Sequence, residues 1–327
     1  MPRPLVSTLL TASLLTLTSA SAVNFNIGYQ KGGLPALLKA RGILDAAKAQ
    51  GITFTWSLFT AGPPLLEATS AGAVDFGGVG DAPGVFALAG GADLKYVAVT
   101  QSHSDKGEAI LVPPGSSIKT VADLKGKRIG VARGSSAHYF LYNALKAAGL
   151  KLSDVQVVPL LPPDARPAFE GGNIDAWAIW DPYLTVALQG TQARVLRDHT
   201  GLPLSNGYYL TNSRVLKDPE KKRALQYLLN ALYDTAGWAN HNEAAVVDQL
   251  SADLGIPKSV LSVTVKKSLP FNIRSFTALD NRPLQQLGNA FADIGVLPSA
   301  PKLGTNTYAS LPKFQGLDAL KVSGGNK

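Results

Sequence analysis

The chain has no cysteine in its 327 residues. That absence removes every thiol nucleophile and every thiolate metal site, and it leaves no disulfide to staple the fold. Histidine is scarce: His103, His138, His199 and His241 are the full set, and none stands at metal-ligand spacing from another. No Gly-x-Ser-x-Gly elbow and no Walker-type phosphate loop occur, so the familiar signatures of acyl and phosphoryl transfer are missing. A catalytic set, a metal and a cofactor are therefore not expected. No apolar run approaches the ~20 residues that a membrane-crossing helix needs. Basic residues outnumber acidic ones, 31 to 23, for a net charge of +8, but they are scattered, with no run longer than Lys221-Lys222-Arg223. A scattered surplus suits a small anionic ligand or solubility, and not the concentrated stripe that nucleic acid demands.

What is present begins with an export leader over residues 1–22. Arg3 gives a basic start, Leu5 to Thr18 are apolar, and Ala20-Ser21-Ala22 is a small-x-small cleavage signal, with the cut expected after Ala22. The remaining 305 residues suffice for two core-bearing lobes. Without disulfides those lobes must be held by their cores, which the 46% hydrophobic composition allows.

An internal repeat organises the first two-thirds. Gly72-Ala73-Val74-Asp75-Phe76, with Asp81 six residues after Asp75, returns as Gly172-Asn173-Ile174-Asp175-Ala176 with Asp181. Ile27-Gly28-Tyr29-Gln30-Lys31-Gly32 aligns with Ile129-Gly130-Val131-Ala132-Arg133-Gly134, and Ile52–Phe59 aligns with Val155–Pro162. Each copy reads as short apolar strands alternating with amphipathic helices, among them a helix over Leu34–Ala49. The pattern predicts an α/β fold with a mostly parallel, helix-flanked sheet in each of two lobes. Gly207–Thr211 reads as a returning strand. The rest is helical cladding of the first lobe, ending in about 25 loose residues rich in Pro, Gly, Ser and Lys.

Ligands of parallel α/β sheets sit outside the carboxyl ends of the strands, and the repeat pairs the loops found there. Gln30-Lys31-Gly32 meets Arg133-Gly134-Ser135-Ser136, Ala61-Gly62-Pro63 meets Pro162-Pro163-Asp164, and Gly80-Asp81-Ala82-Pro83 meets Trp180-Asp181-Pro182-Tyr183. The strongest signal is Gly134-Ser135-Ser136-Ala137-His138. It follows a strand and opens a helix, where free N–H groups and the positive end of the dipole favour an anion. A plain serine N-cap is the alternative. Gly62 and Pro63 open the matching helix of the other lobe. Gln30 offers an amide hydrogen, while Lys31 and Arg133 either charge the site or stand at the surface. Trp180 and Tyr183 can line an organic tail, whereas Trp177 reads as core. Asp81, Ala82 and Asp181 occupy the third loops, where a carboxylate caps a helix, holds a loop or meets a cationic part of the ligand. His138 is either a ligand contact or a structural hydrogen bond.

At these residues the chain resembles the aliphatic sulfonate-binding proteins of the sulfonate/taurine/nitrate branch of ABC importers. The resemblance rests on Ile27–Lys31, Leu37–Gly42, Ala61–Glu67, Val74–Gly77, Gly80–Pro83, Thr120–Lys127, Gly134–His138 and Asp175–Tyr183, in family order. It implies a two-lobed type II periplasmic-binding-protein fold, with residues 23–102 and 205–327 in lobe 1 and residues 103–204 in lobe 2. It further implies a periplasmic, monomeric receptor without catalytic activity. Such a receptor captures a small organic anion, an aliphatic sulfonate, in an interlobe cleft and passes it to an ABC permease in the inner membrane. Nucleic acid is not an expected partner. The same architecture also serves taurine, nitrate, bicarbonate and a thiamine-precursor pyrimidine. Hydrolases on this fold use a cysteine nucleophile, which is lacking here. The first crossing, Gln101–Gly107, matches no family pattern, and beyond Arg214 the match is one of helical character only.

Overall fold

In the segment from Val23, buried Phe25 and Ile27 alternate with the polar Asn24 and Asn26, the signature of a strand covered on one face. In the computed structural model, which describes residues 22–317, this segment is β1 (Val23–Tyr29). The expected leader and its cleavage point lie outside the described residues, apart from Ala22.

The chain continues through α1 (Gly33–Arg41), β2 (Ile52–Leu58), α2 (Gly62–Ala71), β3 (Phe76–Val79), α3 (Asp81–Ala89) and β4 (Lys95–Thr100). It then builds β5 (Glu108–Val112), β6 (Arg128–Val131), α4 (Ser136–Ala147), β7 (Gln156–Pro159), α5 (Pro162–Glu170), β8 (Ala176–Trp180), α6 (Tyr183–Thr191) and β9 (Arg194–Asp198). The remainder is β10 (Gly207–Thr211), α7 (Ser213–Lys217), α8 (Pro219–Ala239), α9 (Glu243–Leu254), α10 (Lys258–Ser268), β11 (Arg274–Ser275) and α11 (Asn281–Asp293). No described helix is long and apolar enough to cross a membrane.

Two sheets result, ordered β11-β4-β10-β3-β1-β2 and β7-β6-β8-β5-β9. β1 pairs in parallel with β2 and β3, and β6 pairs in parallel with β7 and β8. One interior strand of each sheet is reversed: β10 lies antiparallel between β3 and β4, and β5 between β8 and β9, while the short β11 is a second reversed strand at the edge of the six-stranded sheet. The interior reversed strand is the first laid down after the chain arrives from the other sheet. The chain is thus a two-lobed α/β protein of the expected class.

The repeat carries a physical device. Asp75 Oδ2 accepts the Asn26 backbone N–H at 2.8 Å, and Asp175 Oδ2 accepts the Arg128 N–H at 2.8 Å. Each aspartate therefore clamps the third strand of its copy to the first. The partners differ, with Lys221 Nζ on Asp75 at 2.6 Å and the Arg128 guanidinium on Asp175 at 2.9 Å.

Two local expectations are corrected. The helix expected over Leu34–Ala49 stops at Arg41, because Gly42 takes a left-handed φ of 65° and its N–H turns back to the Lys39 carbonyl. Short 3₁₀ turns over Ile43–Gln50 follow. The tail expected to be loose is pinned as far as residue 317. Tyr96 exchanges backbone bonds of 2.9 Å with Thr307 and Ala309, and the Leu317 N–H donates to Asp234 Oδ2 at 2.6 Å. Leu311, Phe314 and Leu317 pack on the core of the first lobe. Those widely spaced apolar residues outweigh a composition that otherwise reads as linker.

Candidate functional site in the interlobe cleft

The strand ends of the two sheets open onto one cavity of about 310 Å³ between the lobes. Gln30, Gly62, Ser135, Ser136, Trp180, Asp181 and Tyr183 line it, whereas Pro63, Asp81, Ala82 and Gly134 do not. Lys31 is also at the wall. Arg133 turns away and donates to the Val296 carbonyl at 3.1 Å, while Trp177 is buried in the core of its lobe.

At the start of α4 the hydrogen bonds decide which donors are available. The Gly134 N–H is taken by His138 Nδ1 at 3.2 Å, and the Ser135 N–H by the Ala132 carbonyl at 3.1 Å. Ser135 Oγ caps the helix, accepting from the His138 N–H at 3.3 Å. The amides of Ser136 and Ala137 have no acceptor among the described residues. The helix terminus can still hold an anion, with its free donors two and three residues beyond the glycine. On the opposite lobe, α2 begins Gly62-Pro63-Pro64, and two prolines there carry no N–H.

The Ser136 hydroxyl donates to Glu108, the first residue of β5. Glu108 also accepts from Ser205 Oγ at 3.0 Å and lies 2.9 Å from His199 Nε2. His199 Nδ1 faces the Pro203 carbonyl at 2.7 Å. A carbonyl can only accept, so that nitrogen bears hydrogen, and the carboxylate favours a second one on Nε2. Burial would lower the imidazole, but the bond and charge of Glu108, with the Pro203 carbonyl and the Asp81 charge, together outweigh it and the pKa is raised. Glu108 thereby joins both crossings to the helix terminus.

The far wall is aromatic and ionic. Trp180 and Tyr183 meet edge to face, with centroids 6.1 Å apart. Asp181 Oδ1 caps α6, accepting from the Thr185 N–H at 3.0 Å and its hydroxyl at 2.6 Å. Its Oδ2 receives Lys267 Nζ at 2.8 Å. Lys267 lies on α10 in the other lobe, so this pair crosses the cleft.

A second seam fastens α4 itself. Phe291 of α11 sits among His138 at 5.0 Å and Tyr139 and Tyr142 at 5.8 Å each, with Phe86 of α3 at 5.0 Å. Burial there, and then the charge of Arg133, push His138 down to about 4. Gly80 touches α4 directly, and a Cβ on it would stand 2.7 Å from Ser136 Cβ.

Glu108, His199, Ser205 and Lys267 are cavity residues that the sequence reading missed. The first three belong to the crossings, which carry no motif. Lys267 ends a helix whose sequence shows amphipathic spacing and nothing more.

Residues 64–245 match the family described as NMT1/THI5 like. The chain is 38% identical over 274 residues, 83% of its length and 84% of the relative's, to an Escherichia coli (strain K12) protein with the provisional name aliphatic sulfonates-binding protein. It is 32% identical over 223 residues, 67% of its length and 68% of the relative's, to the taurine-binding periplasmic protein of the same organism. The solved structure of the alkanesulfonate-binding protein SsuA from Xanthomonas axonopodis pv. citri, bound to MOPS, aligns with a TM-score of 0.80 at 35% identity. That alignment covers 86% of this chain and 96% of the other.

Proposed function

The chain belongs to the NMT1/THI5-like family and, within it, to the aliphatic sulfonate-binding proteins, and from that premise we propose that it is the solute-binding subunit of an ABC importer for aliphatic sulfonates. Residues 23–102 with 205–327 form one lobe and residues 103–204 the other, and the ligand is held where their strand ends meet. Residues 1–22 direct export, with cleavage after Ala22. The mature protein acts in the periplasm as a monomer, without catalytic activity, and delivers its ligand to the permease of the inner membrane.

The observation that carries this reading is the terminus of α4, where Ser136 stands at the cavity wall and the Ser136 and Ala137 amides are unpaired among the described residues. A sulfonate is a permanent monoanion whose three oxygens carry no hydrogen, so it needs donors. Charge-assisted bonds of about 1.5–3 kcal/mol each can supply the roughly 8 kcal/mol of micromolar binding after ordering costs. Trp180 and Tyr183 give the alkyl part an apolar wall. Taurine is the second reading, favoured by the taurine-binding relative.

Thermal shift in Tris against ethanesulfonate, hexanesulfonate, taurine, sulfate, nitrate and a pyrimidine tests the assignment. A ligand at 100 times its Kd stabilises by about 2.7 kcal/mol, so the alkanesulfonates should raise Tm by several degrees. Equal stabilisation by sulfate, or none by any sulfonate, would refute it. Ser135→Ala with Ser136→Ala should weaken sulfonate binding at least about tenfold, through the lost cap and the loosened helix terminus.

A further inference from the structure

The interlobe seam brings two carboxyls and an imidazole together next to the α4 terminus. Asp81, the first residue of α3, comes from the six-stranded lobe. It is buried, and its Oδ1 accepts a 2.7 Å bond from the adjoining Ala82 amide. Glu108 and His199 come from the five-stranded lobe, already bonded to each other at 2.9 Å. Gly80 links the two sides, since a Cβ on it would lie 2.9 Å from the Ser136 Oγ that donates to Glu108.

The other titratable groups within electrostatic reach of Asp81 are phenols: Tyr96 on β4 and Tyr208 on β10 in its own lobe, and Tyr139 on α4 in the other. No lysine or arginine pairs with Asp81 among the described residues. Glu108 is satisfied by the His199 ring and two hydroxyls. Asp81 is not: where the lobes meet, its charge has lost most of its water and gained a carboxylate across the seam, which the neighbouring His199 ring offsets only in part.

We propose that closing the lobes over an anion completes a proton site at Asp81, so that the protein takes up one proton with each anion it captures. The inference rests on the anion-receptor reading and deepens it. Burial first, and then the Glu108 charge, push the Asp81 carboxyl up to about 8 from an ordinary 3.8. Opening the seam returns Asp81 toward the ordinary value. Between those two values the closed form holds one more proton than the open form, so affinity rises as pH falls. Above the upper value neither form holds it, and the pH dependence disappears. A sulfonate brings no proton, so the proton comes from solvent. His138 works with the opposite sign, but only below its ordinary value of 6.5.

The test is a proton count. Exported protein is mixed with ethanesulfonate in unbuffered salt and the pH change is recorded, while tryptophan fluorescence gives Kd at each pH in buffers free of sulfonates. The expected uptake is roughly 0.8 proton per anion at pH 7.5, about half at pH 8 and none near pH 10. Affinity should fall about fivefold or more from pH 7 to pH 8 and then level off. Asp81→Asn, which keeps the shape and loses the titration, should abolish both the uptake and the slope. Binding with less than about 0.2 proton at pH 7.5, or a full count in Asp81→Asn, overturns the inference and leaves the ligand assignment standing. Absence of binding by any alkanesulfonate overturns both. Should the variant fail to fold, the wild-type count decides alone.

Discussion

Replacing Gly80 by alanine separates lobe closure from lobe folding. The Gly80 backbone, with φ −74° and ψ −165°, is open to any residue, so its own lobe accepts the methyl group. The obstacle stands across the cleft. The added Cβ would lie 2.7 Å from Ser136 Cβ and 2.9 Å from its Oγ, against an ordinary carbon contact of about 3.5–4.0 Å. Ser136 has a short side chain already committed to Glu108, so it has little room to yield. The lobes must part instead, by most of an ångström. Overpacking of this size costs about 1–3 kcal/mol, felt by the closed form alone. Sulfonate affinity should therefore drop about 5- to 150-fold, read by titration calorimetry. Thermal unfolding of the ligand-free protein should move by less than about 2 °C. Affinity within twofold of wild type would refute the reasoning. So would a ligand-free Tm that falls in step with the affinity, since the methyl group would then be disturbing the folded lobe.

Two further outcomes follow from the seams. Lys267→Met leaves Asp181 facing the cleft without its partner, 2.8 Å away in the wild type, and should weaken binding by about 1–3 kcal/mol. Adding Asp181→Asn should recover part of that loss in a double-mutant cycle, whereas strictly additive losses would count against an interlobe latch. His138, held at about 4 against an ordinary 6.5, accepts its proton later than the unfolded chain does as pH falls. Its contribution is therefore complete above about pH 6.5 and lost toward pH 4, amounting to about 2 kcal/mol between pH 7 and pH 5. Denaturant midpoints of wild type and His138→Leu at those two pH values check this. The same loss in both proteins would remove the histidine from the account.

The residues legible in the sequence were those that serve local structure twice. Asp75 and Asp175 stood out because each copy of the fold needs the same clamp on its first strand. The loops at Gln30, Ser135 and Trp180 stood out because strand-to-helix turns have a recognisable chemistry. The crossings had no such mark. Glu108, His199 and Ser205 are apart in sequence and follow no period, and their meeting depends on how the chain passes twice between lobes. The same limit applied to donor bookkeeping: sequence placed free amides at Gly134, but only the fold shows that the His138 ring occupies that one.

The amino-acid order alone thus determined two α/β lobes, the direction in which their strand ends point, and a helix terminus suited to an anion, because periodicity, glycine placement and capping act within a few residues of chain. Tertiary structure decided what the lobes do to one another. Lys267 reaching Asp181 and Gly80 resting on Ser136 are contacts, and Asp81 feeling the charge of Glu108 is an interaction through space, between residues 27 to 86 positions apart. Burial and charge at such contacts exist only once both lobes have folded and met.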